Sequence, residues 1–253
     1  MQENKYDLVI ATTATTRPLL HDSTFKKYCS FLQGLNCLWL VGIDYLNTGL
    51  SCPTPEATKV NIENILNEHP NISHRVTVNL KNNGDYRGGT RSAFYRNALE
   101  LTNECVRLSH QTNHGILWLE DDWEVTAVLK LKDILSEYKV ERGDYLQLVL
   151  RPPGEPGAKK KVVSYNPGLF GQQLFKDLCH AGINRKNTRW FREVRNPEAA
   201  ATWRNESHAL YEKVNGPPVT PKRHHVIDAF RDVGRKWQDS TIRKRTFLLQ
   251  ENK

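Results

Sequence analysis

Short apolar runs alternate with amphipathic segments between residues 6 and 119, and this alternation constrains the fold more than any other feature. Runs typical of buried strands are found at residues 6–12, 35–43, 75–80 and 115–119. Segments with helical spacing lie between them, at residues 22–32, 53–67 and 90–108. Strands that alternate with helices form a largely parallel sheet with crossover helices. The sequence therefore predicts an α/β fold with a Rossmann-like central sheet flanked by helices.

The length of 253 residues suits one domain of this class. After Arg151 the pattern changes to a Pro-rich turn, a basic stretch and shorter elements. We predict a single domain over residues 1–253, in which residues 1–125 bind a cofactor or donor. Residues 126–253 form a smaller region that completes the pocket.

The last of the predicted strands runs directly into three consecutive carboxylates, Glu120, Asp121 and Asp122. Ligands bind outside the carboxyl ends of strands in open α/β sheets. Clustered carboxylates repel one another, and a hard divalent cation such as Mg²⁺ or Mn²⁺ relieves that repulsion by taking the oxygens as ligands. The run predicts a cation site, with a solvated acidic turn as the alternative.

The formal net charge of +8 arises mostly from basic clusters in the second half. Such a surface favours anionic partners, which include nucleic acid, acidic glycans, membrane surfaces and small molecules that carry a diphosphate. The five cysteines are scattered and form no Cys-x-x-Cys pair, so we expect reduced cysteines that pack in the core. With no long apolar run and no signal-like start, we expect a soluble or cytoplasmic protein.

Three elements in order resemble the nucleotide-sugar glycosyltransferases of the GT-A fold, in particular the large inverting family that includes many polysaccharide synthases. They are Gly88-Gly89, Arg96-Asn97 and the run Glu120-Asp121-Asp122. The resemblance implies a GT-A fold, a nucleoside diphosphate sugar as donor, with a UDP-sugar favoured, and Mn²⁺ or Mg²⁺ as cofactor. The acceptor would be a hydroxyl of a carbohydrate or a glycoprotein glycan. The layout is similar to that of small bacterial or large-DNA-virus enzymes.

The resemblance also implies the residues that hold the metal. Asp122 would coordinate it directly, and Glu120 would reach the metal through water or contact the ribose. Asp121 would assist, or would only support the turn with a hydrogen bond. Enzymes of this fold often take a final ligand from a C-terminal histidine, for which His225 is the candidate, with a surface position as the alternative.

Further residues would hold the nucleotide. In the family, the ends of the first two strands contact the nucleoside. Near the start of the predicted helix Arg91 could reach phosphate, and Arg235 and Lys236 could close over the diphosphate as a lid. The candidates in this chain are Thr12, Thr13, Arg17, Asp44, Arg91, Arg96, Asn97, Arg235 and Lys236. Thr12 could instead make a strand-end hydrogen bond, and Arg17 and Arg91 could be solvated surface charges.

An inverting transfer needs a carboxylate that deprotonates the acceptor hydroxyl. Glu198 is the candidate, because Asn196-Pro197-Glu198 begins a predicted helix and Pro suits the first turn. Glu193 and Asp177 are reserves. The alternative for Glu198 is that it only complements the helix dipole.

Two other functions remain open from sequence. A nucleotidyltransferase would also bring acids, a metal and a nucleotide to an α/β sheet, although the chain has neither the Gly-x-x-x-x-Gly-Lys-[Ser/Thr] loop nor the Gly-x-Gly-x-x-Gly fingerprint. The basic second half could instead belong to a nucleic-acid-binding protein without catalysis. A steep salt dependence of binding without a metal requirement would indicate the latter.

Overall fold

The computed structural model describes residues 5–16, 18–44, 54–79, 89–150, 167–183 and 221–233. Within these ranges the protein is α/β, with a mostly parallel central sheet between helices. This architecture confirms the predicted fold class and is compatible with a Rossmann-like fold.

Strand and helix alternate strictly in the first half, as the apolar pattern predicts. The elements are β1 (Tyr6–Thr15), α1 (Pro18–Phe31), β2 (Cys37–Asp44), α2 (Pro55–Asn67), β3 (Ile72–Asn79), α3 (Gly89–Leu108) and β4 (Thr112–Glu120). A short 3₁₀ turn, Ser109–Gln111, joins α3 to β4. The described part of the second half adds β5 (Trp123–Val125), α4 (Leu131–Glu137), β6 (Tyr145–Gln147), β7 (Gly168–Phe170), α5 (Gln172–Ile183), β8 (His224–Val226) and β9 (Phe230–Asp232).

The central sheet has the order β3-β2-β1-β4-β7-β6-β8 within the described ranges. The four long strands β1 to β4 run parallel to one another. Strand β7 is antiparallel to both β4 and β6, and β8 pairs parallel with β6. Strands β2 and β3 lie on one side of β1, and β4 lies on its other side. The strand order therefore reverses between β1 and β4, which makes the carboxyl ends of these two strands a topological switch point.

Two apolar layers cover the faces of this sheet, because successive side chains of a strand point to opposite faces. One layer packs β1, β2 and β4 against α1, α2 and α4, with Phe25, Trp39 and Ile62 fully buried in it. The other packs the same strands against α3 and α5 and contains Cys105 and Phe175. No helix in the described ranges is long and apolar enough to cross a membrane.

The C-terminal strand β9 returns to the first half of the chain. It pairs antiparallel with β5, so that Trp123 lies opposite Asp232 and Val125 opposite Phe230. The ring of Phe230 is buried and contacts the rings of Tyr28 and Phe31 in α1, at centroid distances of 5.9 and 5.4 Å. The apolar core thus includes residues from both halves of the sequence.

The predicted start of the first helix is wrong. Helix α1 begins at Pro18 rather than near residue 22, and β1 extends to Thr15. A proline is well suited to the first turn of a helix, where its missing N–H is not needed. The hydroxyls of Ser23 and Thr24 donate to the carbonyl of Leu20, one turn back inside the helix, instead of capping its end.

Three cysteines, Cys29, Cys37 and Cys105, are buried free thiols, as predicted. Burial raises the pKa of Cys29 and of Cys37 to about 12. At neutral pH both therefore stay protonated, which is the unreactive form of a thiol.

Candidate functional site

The three consecutive carboxylates lie at the switch point of the sheet. Glu120 ends β4, and the turn that we call the acidic turn, residues 120–123, leads from β4 into β5. Glu120 is the register partner of Thr13 in β1, and the backbone N–H of Asp121 donates to the carbonyl of Thr13 at 3.2 Å. The turn is therefore fixed to the carboxyl end of β1, beside the crevice where ligands bind in open α/β sheets.

Asp121 points into the protein. Its side chain is 5% exposed, and its Oδ2 atom accepts a hydrogen bond from the backbone N–H of Thr15 at 2.9 Å. The same oxygen lies 2.9 Å from Nε2 of His21, which is fully buried in α1. These contacts support the alternative in which Asp121 holds the turn. A role of Asp121 in binding a nucleotide stays a prediction.

Glu120 has a strongly raised pKa. Its Oε2 atom accepts a hydrogen bond from the indole N–H of Trp123 at 3.0 Å. Burial, followed by the negative charge of Asp122, raises the pKa of Glu120 to about 7, with smaller contributions from Asp121 and Asp232. Burial and neighbouring acids thus disfavour the ionised form of Glu120, and a bound cation is a group that favours it.

Asp122 is half-buried and marks where β9 meets the acidic turn. Its carbonyl accepts a hydrogen bond from the N–H of Val233 at 2.9 Å. This contact brings Asp232, a carboxylate that the sequence analysis did not single out, into the electrostatic field of Glu120. Arg235 and Lys236 follow β9 in the sequence and lie outside the described residues.

Ion pairs fix β5 and β9 to the first helix. Glu124, next to the acidic turn, accepts hydrogen bonds from Lys27 of α1 and from Arg231 of β9. The hydrogen bond from Lys27, followed by that from Arg231, lowers the pKa of Glu124 below its ordinary value. Glu124 is therefore an ionised structural link, in contrast to Glu120.

The two threonines predicted at the end of β1 face opposite sides of the sheet. Thr12 is buried, and its hydroxyl accepts a hydrogen bond from the indole N–H of Trp39 at 2.9 Å. This contact supports the alternative in which Thr12 makes a strand-end hydrogen bond. Thr13 is 2% exposed and lies in register with Gly42 and Glu120. Its hydroxyl is buried without a hydrogen-bond partner among the described residues.

Asn97 of α3 lies against the same row of the sheet. A Cβ atom on Gly42 would come within 1.9 Å of its Oδ1 atom, so the carboxamide occupies the space that the glycine leaves. Like the Thr13 hydroxyl, its Nδ2 atom is buried and has no hydrogen-bond partner in the described part of the chain. Buried polar groups of this kind are satisfied by ordered water or by a ligand.

The structure places three other predicted residues by backbone only. Asp44 ends β2, in register with Thr15, and therefore lies on the same edge of the sheet as the acidic turn. Arg91 and Arg96 lie in the first two turns of α3. Contacts of these three side chains with a nucleotide stay predictions.

His225 is not close to the acids. In β8 it is the register partner of Leu146 in β6. Leu146 is in register with Leu169 in β7, which is in turn in register with Leu117 in β4. Three strand spacings and three residues along β4 separate it from Glu120, about 14 Å across the sheet and about 10 Å along it. Its ring instead packs against Tyr138 at a centroid distance of 5.3 Å. The described geometry does not support its predicted role as a metal ligand.

The remaining predicted residues divide into two groups. Asp177 lies on α5, where its carboxylate accepts a hydrogen bond from the Nε2 atom of Gln173 at 2.8 Å. The others lie outside the described residues, namely Arg17, Glu193, Glu198, Arg235 and Lys236. The assignment of the general base therefore stays a prediction.

The acidic turn suits a cation that shares its ligands with a substrate. Within the described ranges, no group of three or more His, Cys, Asp or Glu side chains could by itself hold a metal ion. Mg²⁺ usually binds through one or two carboxylates together with water and substrate phosphates, so it does not require such a protein cage. Glu120 and Asp122 are the carboxylates of the acidic turn whose oxygens fit that mode of binding.

Three site residues were not recognised from sequence. His21 and Tyr28 lie seven positions apart on α1, and the helical spacing of Tyr28 with Phe25 indicated only a core position. Asp232 had no local signal, because its proximity to Glu120 depends on the pairing of β5 with β9. A polar residue such as His21 within an apolar stripe is the one feature that could have drawn attention to α1.

Comparison with known proteins adds no assignment to this geometry. No protein-family model matches the chain, and none of the curated proteins matches it.

Proposed function

We propose that the protein is a metal-dependent glycosyltransferase of the GT-A type, which transfers a sugar from a nucleoside diphosphate sugar to a hydroxyl of a carbohydrate acceptor. A UDP-sugar is the favoured donor, and the transfer inverts the anomeric configuration with a carboxylate as base. The single observation that carries the proposal is the acidic turn at the switch point between β1 and β4.

The chemistry of this transfer matches the residues at that edge. When the glycosidic bond of a nucleoside diphosphate sugar breaks, the nucleoside diphosphate leaves with its dianionic charge. A divalent cation supplies the positive charge that stabilises this leaving group. Glu120 and Asp122 would hold the cation. Thr13 and Asn97 offer buried polar atoms on the α3 face of the same edge, where a ligand group can satisfy them.

Calorimetric titration of UDP and GDP, each with and without Mn²⁺, tests the proposal. We expect nucleotide binding that depends on Mn²⁺, and we expect Asp122→Asn to weaken it by at least tenfold, because a ligand of the cation is removed. Asp133→Asn is the matched control, since Asp133 is an exposed acid on α4. Equal binding of nucleotide by the protein with and without Mn²⁺, or no binding at all, would contradict the proposal.

A donor-hydrolysis assay separates sugar transfer from nucleotidyl transfer. In the presence of Mn²⁺, a panel of nucleotide sugars should release the free sugar and the nucleoside diphosphate. Release of a nucleoside monophosphate instead would indicate attack at phosphorus and favour a nucleotidyltransferase. The nucleotide sugar that is hydrolysed fastest identifies the base and the sugar of the donor.

A further inference from the structure

Helix α1 contacts the acidic turn through polar groups on one of its faces. His21 lies 2.9 Å from the carboxylate of Asp121, and the hydroxyl of Tyr28 donates to the carbonyl of Glu120 at 2.7 Å. The same hydroxyl also contacts the carbonyl of Trp123. The two residues are seven positions apart, close to two helical turns, so they lie on the same side of the helix. Together they contact the turn at its beginning, its middle and its end.

The core of the protein fixes both side chains. Tyr28 is fully buried, and the centroid of its ring lies 5.8, 6.0 and 5.9 Å from those of Phe25, Trp39 and Phe230. His21 is also fully buried and makes an edge contact with Phe25 at 5.5 Å. Because close-packed rings cannot shift independently, the positions of the hydroxyl and the imidazole are set by the core.

The acidic turn needs such a support. Its carboxylates are consecutive in the chain and repel one another. A turn under this repulsion would separate its charges unless other contacts held its backbone. The Tyr28 hydroxyl shares its single proton between the carbonyls at both ends of the turn, and His21 contacts the inward-pointing carboxylate of Asp121, so that both restrain the backbone that carries Glu120 and Asp122.

We propose that His21 and Tyr28 are positioning residues, which hold the acidic turn in the geometry that directs Glu120 and Asp122 to one divalent cation. The inference rests on the proposed function, since it assumes that the acidic turn binds a cation. Residues that orient metal ligands typically change metal affinity by about 10- to 100-fold when they are replaced.

The test measures the affinity of the protein for Mn²⁺ alone, by electron paramagnetic resonance of the free ion. Tyr28→Phe keeps the packed ring and removes the hydroxyl, and we expect it to weaken Mn²⁺ binding by about tenfold. His21→Leu should act similarly, whereas His21→Gln, which keeps a side-chain donor, should retain most of the affinity. Rescue by His21→Gln separates a hydrogen-bonding role from a packing role.

Ile62→Val is the matched control for stability. Ile62 is fully buried in α2 and belongs to the same apolar layer as Tyr28 but is not part of the acidic turn. The loss of a methylene in the core lowers the stability of the fold by an amount similar to the loss of one hydrogen bond. We expect the control to bind Mn²⁺ as the wild type does.

The outcomes distinguish this inference from the proposed function. If the wild type binds Mn²⁺ neither alone nor with UDP present, or if Asp122→Asn binds it equally well, the proposed function fails and the inference fails with it. If the wild type binds Mn²⁺ only with UDP present, the same comparison of variants is made with UDP. If Asp122→Asn loses binding while Tyr28→Phe and His21→Leu bind like Ile62→Val, the cation site stands and the positioning role is overturned.

Discussion

Three adjacent carboxylates acquire different properties from the residues around them. Asp121 is turned inward to His21 and the N–H of Thr15, whereas Glu120 is partly buried among like charges and has a raised pKa. Glu124, a few residues on, has a lowered pKa because Lys27 and Arg231 donate hydrogen bonds to it. Burial and hydrogen bonding, rather than residue type, therefore decide whether the pKa of each of these carboxyl groups rises or falls.

The charge of Glu120 should make the metal-free protein less stable as the pH rises. Its folded-state pKa of about 7 lies above the unfolded value of about 4.3, so ionisation favours the unfolded state between these two values. We expect Glu120→Gln to be more stable than the wild type at pH 8 in a chelator, by on the order of 1 kcal/mol after allowance for partial exposure. Urea unfolding at pH 4 and pH 8 measures this difference, which should nearly vanish at pH 4.

The hydrogen bond between Thr12 and Trp39 gives a second prediction at this scale. Thr12→Val keeps the shape of the side chain but leaves the buried indole N–H of Trp39 without its partner. We expect a loss of about 1–3 kcal/mol in the free energy of unfolding. In a Trp39→Phe background the same substitution should cost much less, and an equal cost in both backgrounds would contradict the structural assignment of Thr12.

At the scale of elements, short segments of the second half are attached to the sheet by polar contacts. Arg223, which precedes β8, donates to the buried carboxylate of Asp144, which precedes β6. The N–H of Glu141 donates to the same oxygen of Asp144. These hydrogen bonds outweigh burial, which alone would raise the pKa of Asp144, and they lower it below its ordinary value.

Asp144→Asn should therefore destabilise the protein in a pH-dependent way. A carboxylate with a lowered folded-state pKa stabilises the fold above its unfolded pKa of about 3.9 and loses this effect as the pH falls through the folded value. We expect a cost of about 1–2 kcal/mol at pH 7, since Arg223 is half-exposed. Thermal unfolding of both proteins should show the difference shrinking below pH 4.

The elements differ in how far the sequence could predict them. The four long strands and the helices between them follow from buried apolar runs, and the position of the acids at a strand end follows from the same pattern. The edge strand β8 and the pairing of β5 with β9 could not be predicted, because three-residue strands have no periodicity of their own. For the same reason, the sequence could not show that His225 lies in β8, away from the acidic turn, or that Asp232 lies close to Glu120.

Across the whole molecule, the C-terminal segment completes the core of the N-terminal half. Phe230 is 2% exposed and packs against α1. We expect Phe230→Ala to cost about 3–5 kcal/mol, as a buried aromatic side chain is lost and a cavity remains. Tryptophan fluorescence and circular dichroism should show one common transition at a lower urea concentration. Two separate transitions would contradict the prediction of a single domain.

The pairing of β1 with β4 links the candidate site to the long-range contacts of the fold. Thr15 and Asp121 are 106 residues apart in the chain, and β2, β3 and α3 lie between β1, which ends at Thr15, and β4, which precedes Asp121. Contacts of such long range form slowly, because a large loop must first be closed. If the acidic turn binds a cation as proposed, we expect Mn²⁺ binding during refolding to begin only after β1 and β4 have paired, which would make it a kinetic probe of that step.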